Sequence, residues 1–244
     1  MSNLNEVLSL AAINPDFPTD NPDSAIAIIN NLELISFSPD SALLFVDFFE
    51  KAPLSSSTMR THTVVLKTSD GGENWQLSLD ATGDGTGGSF LKDEIFFLNE
   101  THGWFLTQFQ VEANFPTLYW TTDFGETWQE SSGIKDFIAS QGGGVSLIDA
   151  PQGLRFKSDQ EGIVVGRNFG TSGEDLLHFL TTSDAGKTWV EIENLPKDYF
   201  LWKSIHLSQF EFRNPFWKIT NTLSGFSLDK SIEVFSKVYS AASS

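Results

Sequence analysis

The chain has 244 residues, no cysteine, and 32 acidic against 15 basic side chains, for a net charge of −17. These values exclude disulfides, thiol chemistry and thiolate zinc sites. They also oppose nucleic acid and anionic membranes as partners, because binding to phosphates rests on cations that displace counterions. With 22 Phe and 7 Trp the chain can fill the core of one domain, and no run approaches the ~18–20 apolar residues that cross a bilayer.

Residues 1–22 read as a lead segment, with Leu4–Ala12 patterned as a short helix and Asn14–Pro22 as a Pro/Asp linker. The start, Met-Ser-Asn-Leu-Asn-Glu, lacks a basic region followed by an apolar stretch. The expectation is therefore no export signal and a cytoplasmic location. Residues 23–244 read as a single domain.

A first repeat unit spans about 33–80. It opens on Phe37 with Leu43 six residues on, and closes on Thr68-Ser69-Asp70-Gly71-Gly72-Glu73-Asn74-Trp75. Its middle, about Asp47–Thr63, reads as a loop carrying Phe48, Phe49, Arg60 and His62. Asp80-Ala-Thr-Gly-Asp84-Gly85 has a faint calcium-loop pattern, but Thr82 stands where Asp or Asn belongs and Leu91 where a bidentate Glu is needed. An inter-repeat loop is expected there.

A second unit, about 92–132, places Phe97 six residues before Gly103-Trp104 and ends on Thr121-Thr122-Asp123-Phe124-Gly125-Glu126-Thr127-Trp128. Its strand-like segments Glu94–Leu98, Trp104–Phe109 and Leu118–Thr122 are rich in β-branched and aromatic residues. Phe109 falls in its variable loop and His102 in a polar turn. Ser131–Gly153 reads as a connecting loop containing Phe137, and its Gly142-Gly143-Gly144 run lacks the Lys-Ser/Thr of a phosphate-binding loop.

The third unit, about 151–194, repeats Phe156 and Gly162 at the same spacing and ends on Thr182-Ser183-Asp184-Ala185-Gly186-Lys187-Thr188-Trp189. Arg167 and Phe169 lie in its variable loop. Leu195–Trp202 then adds Tyr199 and Phe200 to the segments between units.

A fourth unit begins near Phe200, with strands expected at Ser204–Gln209 and Phe216–Thr220. A loop at Asn221–Lys230 is expected to carry Phe226, and Ser231–Tyr239 to supply a third strand. No fourth copy of the closing phrase follows. Ala25–Ile29 is expected to supply the missing outer strand and close the ring. A five-unit ring, or one completed by a second subunit, is the alternative.

The closing phrase obeys Thr-x-Asp-x-Gly-x-(Thr/Asn)-Trp, with its aspartates 53 and 61 positions apart. An Asp in a tight turn accepts backbone N–H bonds just ahead of it, the Gly tolerates positive φ, and the Trp buries a large surface at the next strand. Asp70, Gly72, Trp75, Asp123, Gly125, Trp128, Asp184, Gly186 and Trp189 are thus expected to staple hairpins. Self-similarity at this period signals a repeat architecture.

The phrase resembles the Asp-box of sialidases, sortilin-type receptors and photosystem II assembly-factor-like propellers. Combined with Phe-x5-Gly-Trp, it looks most like the last group over about residues 33–220. The resemblance implies an all-β fold, a small β-propeller of four-stranded antiparallel blades. We expect four blades, closed by pairing of N- and C-terminal strands.

It also implies a non-enzymatic protein-binding role, as a scaffold, assembly factor or inhibitor, through the face opposite the stapled turns. The expected contact residues are Phe48, Phe49, Arg60, His62, Phe109, Arg167, Phe169 and Phe226. The acidic balance points to a basic protein partner.

No catalytic residue, metal ligand or cofactor is expected. Sialidases clamp their substrate with three Arg beside a Tyr nucleophile, whereas this chain offers only Arg60, Arg155, Arg167 and Arg213 with Tyr119, Tyr199 and Tyr239. His62, His102, His178 and His206 share no ligand spacing. The alternative is a carbohydrate-binding or glycoside-hydrolysing protein with a carboxylate pair about 5–10 Å apart.

Overall fold

Alternating and continuous apolar runs separated by Gly-, Asp- and Ser-containing turns fold here into antiparallel strands. The computed structural model describes residues 27–50, 60–82, 92–107, 116–140, 150–169, 175–202, 217–222 and 225–230. They form three four-stranded antiparallel sheets, one two-stranded sheet and one α-helix. Each four-stranded sheet is an up-and-down meander, and the set fits a small all-β propeller. The chain divides into two compact units: residues 1–81 with 206–244, and residues 82–205.

In the first unit, β1 (Ala27–Ser36), β2 (Ala42–Glu50), β3 (Arg60–Thr68) and β4 (Gln76–Thr82) pair in chain order. Leu43 to Val46 on β2 and Val64 to Leu66 on β3 are buried on both faces, which is why those strands read as unbroken apolar runs. A buried polar layer crosses them. Asp47 accepts a hydrogen bond from Thr63 Oγ1 at 2.7 Å and one from Asn31 Nδ2 at 3.4 Å.

Two expectations fail in this unit. Ala27–Ile29 does not supply an outer strand for a last blade, because it is the start of β1 and pairs with Phe48–Glu50. Likewise, Asn221–Lys230 is not a loop: β13 (Trp217–Thr222) and β14 (Gly225–Lys230) form a hairpin through it. The expected helix at Leu4–Ala12 and the expected strands at Ser204–Gln209 and Ser231–Tyr239 lie outside the described residues.

In the second unit, β5 (Lys92–Phe97), β6 (Gly103–Thr107), β7 (Leu118–Thr121) and β8 (Gln129–Ser131) form one blade. The next blade is β9 (Ala150–Phe156), β10 (Gly162–Phe169), β11 (Asp175–Thr182) and β12 (Val190–Ile192). Between them lies a core of Phe96, Trp104, Leu106 and Leu118 against Leu154, Phe156, Val164 and Leu180. Trp104 stacks on Phe156 with centroids 3.8 Å apart and planes 7° from parallel.

The segment expected as a connecting loop instead contains a helix, α1 (Gly133–Ser140), with Ile134 and Ile138 buried in that same core. Apolar residues four apart on one face put both side chains against the sheets. Ser132 Oγ donates to Asp136 Oδ2 at 2.6 Å in the first turn, and Asp136 N donates to Ser132 O at 2.8 Å.

Candidate functional site

The three closing phrases adopt one geometry. In the first, Asp70 Oδ1 accepts from Asn74 N and Thr68 Oγ1, both at 2.9 Å, and Oδ2 accepts from Asn74 Nδ2 at 2.7 Å. In the second, Asp123 Oδ1 accepts from Thr127 N at 2.9 Å and Thr121 Oγ1 at 2.8 Å, and Oδ2 from Thr127 Oγ1 at 2.6 Å. Asp184 repeats this with Thr188 and Thr182 at 2.9, 2.8 and 2.6 Å. The leading Thr also accepts from the box glycine: Gly72, Gly125 and Gly186 N–H each lie 2.9 Å from it.

The residue after each Asp has positive φ: Gly71 at 76°, Phe124 at 59° and Ala185 at 64°. The box glycines follow at 79°, 69° and 89°. Two successive left-handed residues turn the chain sharply, and the second position takes only glycine in all three copies. At Gly186 space adds a further demand, since a Cβ there would lie 2.5 Å from Leu118 Cδ2.

Each box is also tied to the turn between the first two strands of its own blade. Gly71 N donates to Asp40 O at 2.9 Å, Phe124 N to Thr101 O at 3.2 Å and Ala185 N to Gln160 O at 2.9 Å. The tryptophans follow. Trp75 and Trp189 are buried, Trp189 Nε1 donates to Gly186 O at 3.0 Å, and Trp128 meets the Phe105 ring edge-on at 5.3 Å.

These bonds set the charge state of the aspartates. The Asn74 backbone N–H, helped by its side chain, lowers the Asp70 pKa to about 2. Burial works against Asp123 and Asp184, but the Thr127 and Thr188 hydroxyls and backbone N–H groups outweigh it and hold both below the usual carboxylate value. All three are anions with both oxygens engaged, a state suited to clamping a turn and unsuited to proton transfer near neutral pH.

The family model described as BNR/Asp-box repeat matches residues 119–130, the second of these turns. The turns of this chain are Asp-boxes. A solved structure titled "YCF48 bound to D1 peptide" is similar over 87% of this chain and 82% of that chain, at 14% identity and a TM-score of 0.27. No curated protein matches the chain.

The residues expected to contact a partner fall at strand ends more often than in loops. Phe48 and Phe49 lie on β2, opposite His62 and Thr61 of β3, and Arg60 faces Glu50. That hairpin is longer than the Asp47–Thr63 loop read from sequence, because Asp47 is buried and hydrogen-bonded within the sheet rather than marking its end. Arg167 and Phe169 lie on β10, opposite Leu177 and Asp175 of β11. Phe226 sits on β14 opposite Asn221, and Phe109 lies outside the described residues. The described ones thus fall on β2, β3 and β14 in the first unit and on β10 in the second.

Several other chemistry-bearing residues among the described ones are engaged within the fold. Asn99 Oδ1 closes a turn by accepting from Thr101 N at 2.9 Å and His102 N at 2.8 Å, which leaves His102 a turn residue. His178 Nδ1 meets Glu191 Oε1 at 2.6 Å. The Arg155 guanidinium lies 5.7 Å from the Phe96 ring centroid and 5.9 Å from that of Tyr199. Burial raises the Tyr199 phenol pKa; the Arg155 charge opposes that shift and the Glu94 charge adds to it. That is the wrong direction for a nucleophilic phenolate. Among the described residues no cluster of three His, Cys, Asp or Glu could hold a metal, and no helix is long and apolar enough to cross a membrane.

Within Leu195–Trp202, sequence reasoning missed a short 3-10 helix, Tyr199–Leu201, that buries Tyr199 and leaves Phe200 84% and Leu201 83% exposed. The available signal was Tyr-Phe-Leu-Trp directly after Lys197-Asp198, an apolar run too long for a solvated connector.

Proposed function

We propose that the chain is a non-enzymatic binding module that docks a basic protein partner. The carrying observation is that each box aspartate spends both carboxylate oxygens on its own turn. The one acidic residue repeated through the chain is thereby consumed in rigidity. What is left for recognition is surface: a net charge of −17 and large apolar side chains left in solvent. An acidic rigid frame steers and holds a cationic partner. A chain of this length without one cysteine suits a reducing compartment such as the cytoplasm.

Affinity capture at low and high ionic strength, read by mass spectrometry, tests this. A basic protein retained at low salt and released at high salt is the expected result, and Asp123→Asn, once folded, should retain it. Glycoside turnover by the purified chain, abolished by a single carboxylate substitution, would overturn the reading in favour of an enzyme.

A further inference from the structure

We draw no further inference here: the strongest candidate, the exposed apolar surface patch at Phe200 and Leu201 on the short 3-10 helix that follows the third blade, carries none because nothing in the structure shows what covers it.

Discussion

The Phe97 ring lies across Gly103, the residue directly opposite it on the neighbouring strand, so closely that a Cβ on Gly103 would run into the ring. Phe156 and Gly162 repeat the pair, with a Cβ on Gly162 falling 2.5 Å from Phe156 Cε1. In the first blade the register puts Ser36 opposite Ala42: with no ring to seat, the glycine is not needed. Gly103→Ala should therefore cost about 1–3 kcal/mol as an overpacking change, yet almost nothing in a Phe97→Ser background. Urea denaturation of the two single variants and the double variant measures that coupling; strictly additive effects would contradict it.

The same pair shows what the sequence can and cannot reveal. The Asp-box turns are legible because each position has a local job, and local jobs leave a pattern. The Phe-x5-Gly echo is legible too, but in the first blade its spacing falls on Phe37 and Leu43, one residue beyond the structurally equivalent Ser36 and Ala42. Two residues that compensate each other leave no letter in common with their counterparts. Helix α1 is hidden for a different reason: Ile134 and Ile138 owe their burial to two sheets, and eight residues carry little helical signal of their own. In Leu195–Trp202 the aromatics are visible in the sequence, but which of Tyr199 and Phe200 is buried is decided by tertiary context rather than by residue type.

Gly133 carries the junction between the second and third blades. Ser131 Oγ donates to Gly186 O in the third box and accepts from Gly133 N at 3.1 Å. A Cβ on Gly133 would lie 2.5 Å from the backbone oxygen of Lys187. Backbone cannot swing aside as a long side chain can. Gly133→Ala should cost about 1–3 kcal/mol, more than the roughly 1 kcal/mol or less that Ala normally gains over Gly in a helix could return. Ser131→Ala should cost about 1 kcal/mol, because Gly186 O keeps its bond from Trp189 Nε1 while Gly133 N loses its partner. Chemical denaturation of both variants gives the ordering, and a neutral Gly133→Ala would show that the junction is loose.

Asn74, Thr127 and Thr188 perform one task with different chemistry. Each gives a backbone N–H to Oδ1 and a side-chain donor to Oδ2 of its box aspartate. Exchanging them, as Asn74→Thr or Thr188→Asn, should leave the melting temperature nearly unchanged, whereas alanine at either place removes a charge-assisted bond. That loss should show as a lowered melting temperature. Thermal melts of the four variants decide whether the donor or the residue identity matters.

The box aspartates also fix how the fold responds to acid. A carboxylate whose pKa is lower in the folded than in the unfolded chain adds stability above the unfolded value, and that contribution disappears as pH falls through the folded one. Asp70 drops from 3.8 to about 2. Asp123 and Asp184 move the same way: burial opposes the shift, and the hydrogen bonds from Thr127 and Thr188 outweigh it. Stability should therefore hold above roughly pH 4 and decline toward about pH 2. Asp123→Asn or Asp184→Asn keeps an acceptor but removes the charge, so each variant should melt lower at neutral pH and show a shallower decline across that window. Melting temperatures measured from pH 7 down to pH 2 would display both effects. An Asn variant that falls as steeply as the parent would mean that other carboxylates govern the acid transition and that the boxes hold their turns without help from their charge.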